Sequence, residues 1–472
     1  MILKKFYLKC LSHGSYFLAD EESGEAAVID PQRDTGLYEE MLDQGRYRLK
    51  YVLETHVHAD FVSGHMDLAA KNKATIVFGE KAHAKMVHRA VKDGDLIMLG
   101  KNVEIKVLET PGHTPESICF LARDLSEPDQ PMKLFSGDTV FVGDVGRPDL
   151  LGSAMPAEVL ASEMYDTING KILTLPDDTV IYPAHGAGSA CGRNLGDAEF
   201  TTLAEQKRTN YALQPMTRQK FITLVTEDQP EAPAYFGEDA RLNREGPGEL
   251  EKVLAGLQPM SPKQLADSME AGALLLDTRG PDLYAKGSIP GALEIGLDGQ
   301  FASWVGSLVS KDRRLILVAE EGRQSEAVLR CARVGFDRIL GYLEGGMEAW
   351  IAEGRPVETY VRADAGELRQ ALEEVDGPKV IDVRSASERN SESIPGTTSV
   401  PLARLVQWGA GQPRTQSLMV HCASGYRSGI AVSLLRQMGF SKVRDLAGGI
   451  RRYAECGFPV SRPLSTMGAK IV

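Results

Sequence analysis

Cysteine is scarce. Six lie in 472 residues, at positions 10, 119, 191, 331, 422 and 456, and no two have CxxC spacing. That excludes a disulfide framework. It leaves individual reactive thiols and predicts a reducing, cytoplasmic setting. Positive charge is in deficit: 53 Lys and Arg against 65 Asp and Glu give a net charge of −12. Neither nucleic acid nor an anionic membrane is therefore expected as a main partner. No apolar run reaches the roughly 18 residues of a membrane-spanning helix. The stretch MILKKFYLKCLSHGSYFLAD alternates like a strand and lacks the apolar core of a leader. What is present is an ordinary balance, 43% hydrophobic and 25% charged. At about 150 residues per domain, that composition lets each of about three domains bury its own core.

The second half repeats itself. LLLDTRGPDLYAKGSIPGALEIGL matches VIDVRSASERNSESIPGTTSVPL, with Asp277 against Asp382 and Ile289-Pro290-Gly291 against Ile394-Pro395-Gly396. Further on, Gly345 matches Gly448. Residues 258–360 and 361–472 read as tandem copies, each alternating short strands with helical patterns, which predicts parallel α/β sheets. Residues 1–245 are different and hold hairpin-like strand pairs such as SYFLAD…AAVIDP. The stretch 226–257 is rich in Pro, Gly and acid and reads as an exit, with a linker at 246–257.

In that first region, metal-ligand residue types sit where apolar strands end. YVLET delivers His56, His58 and Asp60; VEIKVLETPGH delivers His113; KLFSGD delivers Asp138; TVIYPAH delivers His185. Alternate positions put His56 and His58 on one face. Strand-end side chains along one sheet edge can converge on a point, so a metal site is predicted. Tyr182 precedes the last of these, and Phe61 follows Asp60.

HxHxD, PGHT, SGDTVF and PAHG together resemble the metallo-β-lactamase fold over about residues 1–245, which implies an αββα sandwich. In the glyoxalase II branch the first motif reads HxHxDH and two metals bind; here the last His is Phe61, so one metal is expected. Similarity to the persulfide dioxygenases of this superfamily implies His56, His113 and Asp138 as ligands of one Fe(II) per chain, a facial triad with open positions. His58, Asp60 and His185 then support the ligands, and zinc is the metal that can replace iron on isolation. GDVGRPDLLG resembles that family's Gly-Arg-x-Asp segment through Arg147 and Asp149. Arg147 either orders the site or holds an anionic substrate, and Tyr182 is a second candidate for substrate contact.

VHCASGYRSG, residues 420–429, follows an apolar strand and precedes a helical pattern. Cys422 thus opens a loop at a helix N-terminus, where the dipole, backbone N–H groups and Arg427 favour thiolate. Cys-x-x-Gly-x-Arg, with Gly425 at its bend, resembles the rhodanese loop that cradles a cysteine persulfide. Asp382, Arg384 and IPG match too. In the other copy Ala319 stands where Cys422 is and Gln324 where Arg427 is, which predicts a catalytically dead copy. Cys191, in the glycine-rich HGAGSACGRNLG, is the candidate for a second reactive thiol, near the metal pocket.

The resemblance to dioxygenase–rhodanese fusions implies oxidation of a low-molecular-weight persulfide by O₂ to sulfite, coupled to sulfur transfer giving thiosulfate. It also implies a homo-oligomer, dimer or tetramer. The alternative is a zinc-dependent thioester hydrolase of the glyoxalase II type with an accessory rhodanese module.

Overall fold

Strand His13–Ala19 (HGSYFLA) is buried at every position, so both of its faces must be covered. A computed structural model describes residues 1–462 apart from 194, 228 and 230, and shows how. The chain divides into two compact units: Met1–Val253 with Leu329–Asp337, and Leu254–Val328 with Arg338–Val472.

The first unit holds two six-stranded sheets. Tyr16 and Leu18 of one sheet share an apolar core with Val103, Ile105, Phe120 and Phe135 of the other. Phe17 and Val28, on the outer face of the first sheet, pack against Tyr38, Leu42 and Leu68 of helices Gly36–Gly45 and His65–Asn72. The second sheet turns Leu121, Leu134 and Ile181 outward onto helices Ala157–Gly170 and Arg218–Thr226. This is the expected αββα sandwich.

Strand direction sets up the site. Ile118–Asp124 is antiparallel to both Val103–Glu109 and Lys133–Gly137, and Lys133–Gly137 is parallel to Val180–Pro183. The three strands that lead to His113, Asp138 and His185 therefore run the same way and end on one edge. In the other sheet, Glu25–Ile29 and Arg48–Leu53 run parallel and end at Asp30 and the HxHxD stretch.

The stretch expected as an exit and linker contains helices. Helix Phe236–Glu245 lies within 226–257, and helix Leu250–Ala255 occupies half of 246–257. Leu, Glu, Lys and Ala are good helix formers, and their propensity outweighs the Pro and Gly around them.

The second unit carries two parallel sheets, one per copy. Leu274–Asp277 lies between Leu293–Glu294 and Leu315–Val318; Lys379–Asp382 lies between Thr398–Ser399 and Leu418–His421. Each copy keeps the same internal tie. Arg279 grips Asp277 through Nε and Nη2 at 2.8 and 2.6 Å and donates to the carbonyl of Gly287. Arg384 grips Asp382 in the same way and donates to the carbonyl of Glu392.

Candidate metal centre and sulfur loop

His56, His113 and Asp138 come together, each buried, with their ligand atoms all within 4.8 Å of one another. Their tautomers are set from behind. His113 Nδ1 donates to the carbonyl of Arg147 at 2.8 Å, which leaves Nε2 bare and 3.4 Å from Asp138 Oδ2. Thr55 Oγ1 gives its proton to Asp30 at 2.8 Å, so the 3.0 Å contact with His56 Nδ1 is donated by the ring. His56 Nε2 is bare in turn. His185 follows the same rule, with Nδ1 donating to the carbonyl of Ser12 at 3.1 Å.

Burial keeps these imidazoles neutral. It pushes His113 and His185 down to about 4 and His56 well below the usual histidine range. Burial, then the charge of Asp60, pushes the Asp138 carboxyl well above its usual range. Among the described residues, no N–H or O–H group donates to either Asp138 oxygen, and only the weak donor Cys191 faces it. A buried carboxylate without a strong donor is costly, and a cation among bare imidazole nitrogens removes that cost. The residues fit a metal ion.

Gly137 makes the approach possible. Its φ is +51°, and a Cβ there would lie 2.5 Å from Thr55 Oγ1, the group that orients His56. No L side chain fits.

His58 turns away from the trio, its Nε2 3.1 Å from Asp30 and 3.4 Å from Glu54. Phe61 is fully buried, with its ring 4.1 Å from that of His13 and 4.5 Å from that of His58. Asp60, His185 and Cys191 form a second buried group with ligand atoms within 4.8 Å of one another, beside Asp138. The His185 Nε2 contacts to Asp60 and Asp138 are 3.4 and 3.5 Å. The sequence distance from His185 brought Cys191 near the pocket; the fold puts its thiol inside. Burial, then the charges of Asp60 and Asp138, raises the Cys191 thiol well above its usual pKa.

Two expected substrate contacts have other partners. Arg147 is 1% exposed; its Nε and Nη2 close on Asp149 at 2.7 Å each and Nη1 donates to the carbonyl of Ala190. Its own N–H donates to the carbonyl of Cys191. These bonds tie together the loops that carry Asp149, Ala190 and Cys191, which fits the ordering role expected of Arg147. Tyr182 is half-buried, stacks on Phe135 at 5.4 Å and leans on Phe200. Sequence reasoning missed Asp30, Thr55 and Glu54. Asp30 had a signal, since it ends the strand AAVI as the ligands end theirs.

In the last copy, strand Leu418–His421 ends at Cys422, and helix Tyr426–Gln437 begins after Gly425. Gly425 has φ +92° and donates its N–H to Cys422 Sγ at 3.1 Å. Arg427 pairs with Glu388 at 2.6 and 2.7 Å. In the other copy Ala319 follows strand Leu315–Val318 at the matching place, with neither thiol nor cation.

The Metallo-beta-lactamase superfamily profile matches residues 10–185, and the Rhodanese-like domain profile matches 261–353 and 364–456. A crystal structure titled metallo-beta-lactamase from Staphylococcus aureus subsp. aureus COL is 35% identical, with a TM-score of 0.63 over 72% of this chain and 98% of that one. The chain belongs to the metallo-β-lactamase superfamily. To that N-terminal domain it adds two tandem rhodanese-like domains. Among the superfamily's curated members, a hydroxyacylglutathione hydrolase of Polaromonas sp. is 36% identical over 36% of this chain and 61% of its own length. The mitochondrial persulfide dioxygenase ETHE1 of Homo sapiens is 31% identical over 36% of this chain and 63% of its own. The chain thus spans about three fifths of these relatives. The chain is an enzyme of the superfamily with a candidate metal-binding centre. Among the described residues, no helix is long and apolar enough to cross a membrane.

Proposed function

We propose that the N-terminal domain oxidises the sulfane sulfur of a low-molecular-weight persulfide with O₂ to sulfite, and that Cys422 passes sulfane sulfur on to give thiosulfate. The observation that carries this reading is the trio of two imidazoles held in the ligand tautomer and one buried carboxylate that no N–H or O–H group satisfies, with a phenylalanine where a second metal's imidazole would stand. His56, His113 and Asp138 would hold the metal, and iron(II) there would supply the redox chemistry that a thiolate and O₂ need. The chain's own groups do the rest. Asp30, through Thr55, and the Arg147 carbonyl hold the two imidazoles in the ligand tautomer. Phe61 and the buried walls exclude water. Cys191 lies beside Asp138 and is the thiol within reach of sulfur released there. The first reaction balances as RSSH + O₂ + H₂O giving RSH, sulfite and two protons.

Protein purified without air should hold about one iron per chain and consume O₂ when a persulfide such as glutathione persulfide is added. Two tightly bound zinc ions per chain together with thioester hydrolysis would overturn the reading. That second reading has one observation in its favour: Asp60, His185 and Cys191 gather beside Asp138 and make a second donor set. His185→Ala separates the two. It leaves the iron in place under the first reading and loses one of two metals under the second.

A further inference from the structure

Glu388 sits in the short helix Ala386–Ser391 of the last domain and holds both arms of Arg427. It is itself held. Its Oε2 accepts from the Ser385 N–H at 3.0 Å and from the Ser385 hydroxyl at 3.1 Å, the reciprocal cap of that helix. The pairing is bidentate and partly buried, stronger than a surface bridge. Neighbouring cations are engaged as well. Arg384 grips Asp382, Arg389 donates to Thr397, and Arg362 binds Asp445, Asp282 and the carbonyl of Gly425. Arg427 and Cys422 stand at the two ends of the same loop, Cys-x-x-Gly-x-Arg. Burial works against the Arg427 charge, and Glu388 and then Cys422 more than offset that.

Thiosulfate is a dianion. To be held by Arg427 it must displace or share Glu388, and it meets the Glu388 charge as it does so. We propose that Glu388 is a specificity-determining residue of the sulfur loop: by occupying Arg427 it disfavours small anions at Cys422 and speeds the departure of thiosulfate. This deepens the reading of Cys422 as a carrier of sulfane sulfur and rests on it. In the step concerned, the sulfur lone pair of sulfite attacks the terminal sulfur of the Cys422 persulfide. The S–S bond breaks, and its electron pair stays on Cys422 Sγ. One monoanion and one dianion become a thiolate and thiosulfate, with charge conserved. Both products are negative, and Glu388 returning to Arg427 removes the cation that would retain the dianion.

The test is Glu388→Gln in the full chain, because Gln at this position keeps the reciprocal cap and removes the charge. In thiosulfate-to-thiol transfer, KM for thiosulfate should fall about tenfold, which corresponds to about 1.4 kcal/mol. In the direction of thiosulfate formation, product inhibition by thiosulfate should tighten by the same factor. A second measurement needs no turnover. The rate of Cys422 modification by anionic iodoacetate, relative to neutral iodoacetamide, is followed by peptide mass spectrometry. It should rise several-fold in Glu388→Gln and stay at the wild-type value in Ser385→Ala, which weakens the cap and keeps the charge. An unchanged iodoacetate-to-iodoacetamide ratio in Glu388→Gln, or an equal rise in Ser385→Ala, overturns the role of Glu388. If wild-type protein transfers no sulfur while the ratio still shifts, the carrier reading of Cys422 fails and the anion discrimination by Glu388 stands.

Discussion

Thr55 is what fits His56 to be a ligand in the proposed centre. The hydroxyl that faces Asp30 can only receive the Nδ1 proton of His56, and this exposes Nε2 to the pocket. Thr55→Val keeps the shape and removes the acceptor. Metal affinity should fall by about 10- to 100-fold, the usual cost of losing a partner behind a metal ligand, read by competition with a chromogenic chelator. Much of this was legible in the sequence, since each ligand ends an apolar strand and the strand order brings those ends to one edge. The supporting chain was not. Asp30, Thr55 and Ser12 act through a side chain or a carbonyl whose direction depends on three-dimensional packing. The partners of Arg147 and Tyr182 were hidden for a related reason: a charged or phenolic group near a motif shows no partner in one dimension, and Asp149 and Phe135 meet it in three.

The strand–loop–helix element around Cys422 sits on a buried histidine. Burial holds His421 down to about 4, with Asp382 opposing. The unfolded chain takes up that proton below about pH 6.5, whereas the folded chain waits until about 4. This contribution to stability is therefore complete above pH 6.5. It is lost as pH falls from 6.5 to 4, by about 3 kcal/mol, and the loss levels off below. Hydrogen exchange over residues 418–421 should quicken across that window in wild type and much less in His421→Leu. The loop's own shape depends on Gly425. A side chain there would meet Arg362 Nη2 and Gly448 N at 2.9 Å and would also have to adopt φ +92°. Gly425→Ala should remove most sulfur transfer while the metal content of the N-terminal domain stays at the wild-type level. A drop in both would show that the two chemistries share a fold determinant. The sequence announced this element, because a thiol, a glycine and an arginine at fixed spacing after an apolar strand leave few alternatives. Glu388 was harder to see. It reads as an ordinary helix cap until the folded chain brings Arg427 to it.

At the scale of the whole chain, the proposed sulfur path is divided between two thiols. Cys191 stands in the metal pocket, and Cys422 heads a helix in the last domain. Cys422→Ser should leave O₂ consumption on a free persulfide largely intact while sulfite accumulates and thiosulfate disappears. Cys191→Ser should alter the ratio of sulfite to thiosulfate more than it alters bound metal. Quantifying both products from one persulfide substrate in wild type and the two variants decides this, and an unchanged ratio in Cys191→Ser returns that residue to a packing role. The large-scale plan was readable because the duplication repeats Asp-x-Arg and Ile-Pro-Gly in register. The helix Leu250–Ala255 was not, because composition alone marks its stretch as a linker; the division between the two units falls within it, after Val253.

Those repeated ties have a use of their own. Asp277 with Arg279 and Asp382 with Arg384 hold their loops by the same bonds, although Ala319 and Gln324 have replaced the thiol and the cation in one copy. The molecule thus carries its own blank. A reagent, isotope label or ligand that marks residues 422–427 and spares 319–324 in the same tube reports sulfur chemistry. A mark on both reports only the shared scaffold, without a second protein for comparison.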